Sequence, residues 1–190
     1  PVQDAVGSMI VDIGGGTTDI AVISLGGIVA SKNLRIAGDR LNEDIIRFAR
    51  DEYKLLLGER TAENIKIAIG SAHEVEGPME TMMRGRDLAT GLPKEIIVDD
   101  SEIRRALRHS VHAIVSSIKG TVEATPPELV ADIMQNGITL VGGGALLRGL
   151  DRLIHMETKF TVKIAEDPLT AAVRGTGVIL EDIDALRNVL

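Results

Sequence analysis

Short β-branched runs broken by glycines open the chain, and helical spacing takes over further on. Met9 to Ile13 (Met-Ile-Val-Asp-Ile) stops at Gly14, Ile20 to Ile23 is a second run, and Ile28 to Ala30 begins a third after Gly26-Gly27. These runs predict three antiparallel strands joined by tight turns. Gly38-Asp39 then opens a helix with apolar positions Leu41, Ile45, Phe48, Ala49 and Leu56, stopped by Gly58. Thr61 caps a short second helix, whose last apolar stretch, Ile65 to Ile69, ends at Gly70. Residues 71–99 are punctuated by Gly77-Pro78, Gly85 and Gly91-Leu92-Pro93, and predict short strands and loops, with Ile96-Ile97-Val98 as a strand.

From residue 100 the period changes. Asp100-Ser101 caps a long helix whose apolar series Ile103, Leu107, Val111, Ile114, Ile118, Val122 advances by 4, 4, 3, 4 and 4. That spacing puts all six on one face and leaves Arg104, Arg105, Arg108 and His112 on another, facing water or another protomer. Pro126-Pro127 ends this helix and starts the next, which Asn136-Gly137 closes. Ile138 to Val141 predicts a strand, Ala145 to Met156 a helix, Phe160 to Ile164 a strand, and Pro168 to Leu180 a last helix followed by a charged tail with Glu181, Asp182 and Asp184. A meander followed by alternating helices and strands defines an α/β fold with helices packed on a sheet.

Composition narrows the function. The 190 residues carry 21 Lys+Arg against 28 Asp+Glu, a formal net charge of −7, and only 2% aromatics with no Trp. That balance argues against nucleic acid as a partner, which calls for an excess of cations or stacking platforms. Cys is 0, so no disulfide or thiolate metal site is available. The longest uncharged run, Ile133 to Leu147, is interrupted by Gln135, Asn136 and glycines, and it falls short of the about 20 apolar residues of a spanning helix. The opening Pro-Val-Gln-Asp has neither an initiating Met nor a secretory leader, so the expectation is a piece of a longer protein. His73, His109, His112 and His155 show no metal-ligand spacing, and Met79, Met82 and Met83 suit core or interface filling.

Two segments carry candidate chemistry: Val11-Asp12-Ile13-Gly14-Gly15-Gly16-Thr17-Thr18-Asp19 and Leu140-Val141-Gly142-Gly143-Gly144-Ala145-Leu146. Each is a buried-type strand running into three glycines. Without Cβ atoms, such a bend lets successive amides converge on a phosphate, although a plain tight turn reads the same way. The second loop is expected to open a helix, whose N-terminus would add positive potential. Asp12 is a hard oxygen donor suited to Mg²⁺, and Thr17 and Thr18 can donate to phosphate oxygens. Neither loop fits the Walker or the Gly-x-Gly-x-x-Gly pattern. Glu63 and Lys66 are one helical turn apart, and a surface ion pair is the simple account of them.

Asp-Ile-Gly-Gly-Gly-Thr-Thr-Asp resembles the second phosphate loop of the actin/Hsp70/sugar-kinase superfamily, and Leu-Val-Gly-Gly-Gly-Ala-Leu-Leu-Arg-Gly-Leu resembles its adenosine loop. Ile-Ser-Leu-Gly-Gly-Ile-Val, Ala-Gly-Asp-Arg-Leu-Asn-Glu-Asp-Ile, Gly-Glu-Arg-Thr-Ala-Glu-Asn-Ile-Lys, Gly-Arg-Asp-Leu-Ala-Thr-Gly-Leu-Pro and Glu-Asp-Pro-Leu-Thr-Ala-Ala-Val-Arg-Gly-Thr-Gly resemble the MreB group of bacterial actin homologues, which set rod shape. The resemblance covers essentially the whole chain.

It implies an actin-like ATPase (ribonuclease H-like) lobe: a mixed sheet flanked by helices, with a smaller α+β insertion subdomain. Residues 1–38 and 137–190 would form the core nucleotide-binding subdomain, and 39–136 the insertion. By motif position, Asp12 would hold the Mg²⁺ shell or a lytic water. Gly14, Gly15, Gly16 and Thr17 would bind the β- and γ-phosphates of ATP, with Thr17 and Asp12 as the catalytic pair. Glu63 and Lys66 would edge the adenosine, while Gly142, Gly143, Gly144 and Ala145 would back the α-phosphate and adenine. Gly175-Thr176-Gly177 resembles the segment near the interlobe hinge.

The family's first phosphate loop, Asp-x-Gly-Thr, and its water-orienting glutamate have no counterpart here, so the expectation is the C-terminal lobe alone. Hydrolysis is then expected of an intact protein rather than of this chain by itself. The implied setting is cytoplasmic, at the inner face of the cell membrane, with self-association into filaments, cell-wall elongation machinery as partner, and membrane association through the other lobe. An Hsp70-type or sugar-kinase-type ATPase lobe shares the same loops, and a folded interaction module is a third possibility.

Overall fold

Along the first strand, Met9, Val11 and Ile13 are fully buried while Ser8, Ile10 and Asp12 are only partly covered, the two-residue alternation of a pleated strand. In the computed structural model, which describes residues 6–181, this strand, β1 (Ser8–Ile13), pairs antiparallel with β2 (Thr18–Ser24), which pairs antiparallel with β3 (Gly27–Leu34). The turn residues between β2 and β3 are Leu25 and Gly26, both at positive φ, one residue earlier than the Gly26-Gly27 signal. That is the geometry of a primed hairpin turn, in which an exposed Leu25 bears the less favourable backbone.

The predicted first helix is α1 (Gly38–Tyr53), and it is shorter than expected. Lys54 adopts a left-handed conformation at φ 53°, and Leu55–Leu56 form a two-residue strand, β4, in place of the helical end that was to reach Gly58. Gly58 instead caps α2 (Glu59–Ile69), so Thr61 sits inside the first turn rather than at the cap. Residues 71–99 resolve into a hairpin of β5 (Glu80–Asp87) and β6 (Pro93–Asp99), which completes a three-stranded sheet of order β4-β5-β6. Met83 is fully buried in it, whereas Met82 lies on the exposed face opposite Ile97.

The long helix α3 (Asp100–Glu123) begins one residue earlier than its cap signal suggested: the cap is Asp99. The Asp99 carboxylate accepts from the Glu102 amide at 2.9 Å and the Glu102 carboxylate accepts from the Asp99 amide at 3.1 Å, a complete capping box. The Ser101 hydroxyl, followed by the Glu102 amide, holds the Asp99 carboxyl below its ordinary value of 3.8. Asp99→Ala is therefore expected to cost about 1 kcal/mol in urea unfolding at neutral pH. Because the folded value is the lower one, the difference from wild type is full above the unfolded pKa and shrinks as pH falls through the folded pKa.

Ile103, Leu107, Val111, Ile114 and Ile118 are buried as their spacing predicts, and Val122 is partly buried. Through this face α3 packs on β2, β3 and β6, so one helix spans both sheets. Its other side is not simply water-facing. The Arg104 guanidinium is bound to Asp100 at 2.8 Å and to the Ser71 hydroxyl at 3.0 Å.

After α4 (Pro127–Asn136), with Pro127 in its first turn, Gly137 at φ 82° redirects the chain into β7 (Ile138–Val141). β7 pairs parallel with β1 on one side and with β8 (Val162–Ile164) on the other, giving the mixed order β3-β2-β1-β7-β8. Between them, Gly143–Leu146 form only a single 3-10 turn, and α5 (Leu150–Thr158) starts after Gly149, which is left-handed at φ 71°. The helix expected to start at Ala145 is thus delayed, and the second glycine loop does not open an α-helix. The last helix, α6 (Ala171–Glu181), contains Gly175-Thr176-Gly177. Asp182 and Asp184 of the charged tail lie outside the described residues.

Candidate functional site

Parallel pairing of β1 and β7 decides where the glycine loops go. Asp12 stands opposite Val141 in the register, so Gly14-Gly15-Gly16 and Gly142-Gly143-Gly144 leave neighbouring strands at the same, carboxyl-terminal edge of the sheet. This edge is where ligands bind in open α/β sheets. The second bend packs against the end of β1, just before the first bend. A Cβ on Gly142 would run into the Asp12 carboxylate and the Ile13 carbonyl, and one on Gly144 into the Ile13 side chain. Gly142 also has φ 80°, so it is glycine by conformation as well as by space.

The first loop is closed by the Gly14 amide donating to the Thr17 carbonyl at 2.9 Å. Its carbonyls are taken by the start of α1: the Gly38 amide donates to Gly14 O at 3.1 Å and the Asp39 amide to Gly15 O at 2.8 Å. Among the described residues, the amides of Gly15, Gly16, Gly143 and Gly144 donate to no acceptor in the protein. Gly15, Gly16 and Thr17 are exposed, and the amides of the 3-10 turn stand at its unsatisfied N-terminus. Amides grouped in this way suit an anion with several oxygens.

The charged groups around them differ in role. Burial, and then the neighbouring Asp19 carboxylate, push the Asp12 carboxyl above its ordinary value. A group of positive charge beside these two carboxylates would relieve that repulsion. Asp19 is held by the Thr17 hydroxyl at 3.0 Å and by the Asn33 amide nitrogen at 2.5 Å. Thr18 is no phosphate donor: it is fully buried, and its hydroxyl donates to the Ile36 carbonyl at 2.7 Å.

Lys66 reaches the same edge from α2, with its ammonium donating to the Gly38 carbonyl at 2.9 Å. Burial pulls it below the ordinary lysine range, while the Glu63 and Asp39 carboxylates act against that trend. The ion pair considered for Glu63 and Lys66 does not form, since Lys66 turns to the backbone of α1 instead and Glu63 stays exposed. Ala145 is buried behind the second loop. Gly38 and Asp39 belong to this edge although the sequence marked them only as a helix start. The signal was available in a glycine directly before an acidic first turn, which brings a helix N-terminus close to another backbone.

A three-stranded meander continued by parallel strands, with glycine bends meeting at one sheet edge, defines an actin-like lobe. The family model described as "MreB/Mbl protein" matches residues 1–188. The chain is 50% identical over 180 residues to the cell shape-determining protein Mbl of Bacillus subtilis strain 168, covering 95% of this chain and 54% of that one. It is 52% identical over 184 residues to the cell shape-determining protein MreB of Escherichia coli K12, covering 97% and 53%. The structure of MreB5 of Spiroplasma citri bound to ADP superposes with a TM-score of 0.93 at 39% identity, covering 99% of this chain and 56% of that one. The chain belongs to the MreB/Mbl family, and it spans about half the length of the relatives it matches. That membership does not favour the Hsp70-type or sugar-kinase-type alternative. No helix among the described residues is long and apolar enough to cross a membrane.

Proposed function

We propose that this chain is the ATP-binding C-terminal lobe of an actin-like cytoskeletal protein that assembles into filaments and maintains rod shape. The observation that carries the reading is the meeting of two glycine bends with unengaged amides at one sheet edge, beside Asp12 and Lys66. Further support comes from Spiroplasma citri MreB5, a relative in fold and sequence solved with ADP and with AMPPNP bound.

In this reading Gly15, Gly16 and Thr17 hold the β- and γ-phosphates, with Gly14 beside them closing the bend through its bond to the Thr17 carbonyl, and Gly142 to Ala145 back the α-phosphate and adenine. Glu63 and Lys66 border the adenosine. Asp12 supplies an oxygen for the water shell of Mg²⁺ or orients the attacking water, and Thr17 supports it through Asp19. The site fits that cation: Asp12 is an oxygen ligand whose proton affinity is raised by burial and then by the Asp19 carboxylate. Mg²⁺, when bound, neutralises charge developing on the phosphates during in-line attack.

Residues 1–38 and 137–190 form the nucleotide-binding subdomain and 39–136 the insertion, with α3 lying across the junction. Gly175-Thr176-Gly177 sits near the hinge to a second lobe. The rest of the relatives' length would supply that lobe, with the first phosphate loop, the water-orienting glutamate and the membrane contact. Hydrolysis therefore belongs to the intact protein, working in the cytoplasm at the inner membrane face with the cell-wall elongation machinery.

Calorimetric titration of the chain with ATP, with and without Mg²⁺, tests the site. Saturable binding that Mg²⁺ strengthens is expected. Asp12→Ala is expected to remove the Mg²⁺ dependence while leaving the thermal midpoint unchanged or higher, because a desolvated charge beside Asp19 is gone. Equal Mg²⁺ dependence in both chains would refute the role given to Asp12.

A further inference from the structure

A second concave surface lies on the outward side of α3. The loop Ser71 to Glu74 and the first half of α3 enclose a cleft of about 600 Å³, lined by Ser71, His73, Arg104, Arg105, Arg108 and His112 among others. Three guanidiniums, that of Arg104 paired to Asp100, stand against a single lining carboxylate, Glu74, a concentration of positive charge in a chain of net charge −7. Among the described residues, Arg105 and Arg108 have no carboxylate within ion-pair distance. Arg105 is steadied by the Phe48 ring, its guanidinium carbon 5.5 Å from the ring centroid. Arg104 is fixed by Asp100 and Ser71.

The rim is equally set. Ser71 bridges to Arg148, the Ala72 amide donates to the Arg148 carbonyl at 2.7 Å, and the Arg148 guanidinium donates to the Ile67 carbonyl at 2.9 Å. A groove whose rim and two of whose guanidiniums, those of Arg104 and Arg105, are held before binding loses less freedom on binding.

We propose that this cleft is a docking groove for an extended acidic segment of a partner protein. The inference does not rest on the nucleotide reading. Charge complementarity selects an acidic partner, and shape selects a polypeptide. The groove is recessed, and at His112 it adjoins a second cleft of about 540 Å³ in which Lys32 and Lys119 face Glu123 and Glu157, so the unpaired cations are confined to the first. A flat lipid surface does not reach such a recess, and a free phosphate would use only part of its length. An extended acidic segment would pair its carboxylates with the Arg105 and Arg108 guanidiniums.

The test is fluorescence anisotropy of a labelled short peptide alternating Glu and Ser, titrated with the chain at several salt concentrations. Saturable binding that weakens with salt is expected. The double variant Arg108→Glu/His112→Glu, both at exposed positions, is expected to lower affinity by about tenfold or more. The charge-matched control Arg152→Glu/Lys163→Glu, on α5 and β8, is expected to stay within about twofold of wild type. Circular dichroism and thermal midpoints establish that both variants fold. Absence of saturable peptide binding to the wild-type chain overturns the proposal, as does an equal loss in both variants. So does binding of phosphatidylglycerol vesicles or tripolyphosphate that only the groove variant loses while the peptide stays unbound.

Discussion

Gly142→Ala is expected to destabilise the chain by about 2–5 kcal/mol, combining a strained positive-φ backbone with overpacking. Its Cβ has nowhere to go, because the Asp12 carboxylate and the Ile13 carbonyl already occupy the space and φ is 80°. The neighbouring glycine separates folding from ligand approach. A Cβ on Gly143 meets only the end of the Leu169 side chain, at 3.3 Å. Gly143→Ala is therefore expected to unfold within about 1 kcal/mol of wild type, the usual spread for substitutions away from packed features. If the amides of this loop face a nucleotide, Gly143→Val weakens ATP binding by about tenfold or more while the fold survives, since a branched side chain stands where backbone must meet the ligand. Urea midpoints and calorimetric titration give the two readouts. A Gly142→Ala chain as stable as wild type would contradict the contact between the second loop and the end of β1. Unchanged ATP affinity in Gly143→Val would remove the second loop from the site.

Leu107→Ala is the core substitution with the largest expected effect. Leu107 is 0% exposed, in the middle of the α3 stripe that spans both sheets. Truncation of a buried leucine costs about 2–5 kcal/mol, the upper part applying where neighbours cannot collapse into the void. For a domain of this size that corresponds to a drop in melting temperature of roughly 5–15 °C. Leu107→Met, which nearly conserves volume, is expected to cost less than about 1.5 kcal/mol. A loss below about 1 kcal/mol for Leu107→Ala would mean that α3 is not wedged between two layers.

Much of this was legible before the coordinates, for reasons that differ from element to element. The α3 stripe could be read because a buried helix face forces apolar residues to recur at its own period. The meander could be read because β-branched runs stopped at glycines. The end of α1 was not legible, because Leu56 continues the helical period and nothing at Lys54 announces a left-handed residue. The delayed start of α5 was hidden for a related reason. Ala145-Leu146-Leu147 reads as helix, and only Gly149 breaks it. The capping residue of α3 was displaced by one because Asp99 and Asp100 are both good caps, and only Asp99 has Glu102 three residues on.

At the site, the glycine bends and Asp12 announced themselves by composition, whereas Gly38 and Asp39 did not. Their place there depends on the fold of α1 against the first loop, which a local window does not contain. Thr18 was misjudged because adjacent threonines in a strand point to opposite faces, so only one of Thr17 and Thr18 can reach the edge.

The register of β1 against β7 has a kinetic consequence. The hairpins β2-β3 and β5-β6 close over a few residues and can form early, but β1 and β7 come from opposite ends of the chain. Such long-range parallel pairing pays its loop-closure entropy before any contact rewards it. In a refolding experiment, secondary structure should recover ahead of any capacity to capture nucleotide. On the nucleotide reading proposed above, the ATP edge would stay incomplete during synthesis until β7 had left the ribosome and settled beside β1.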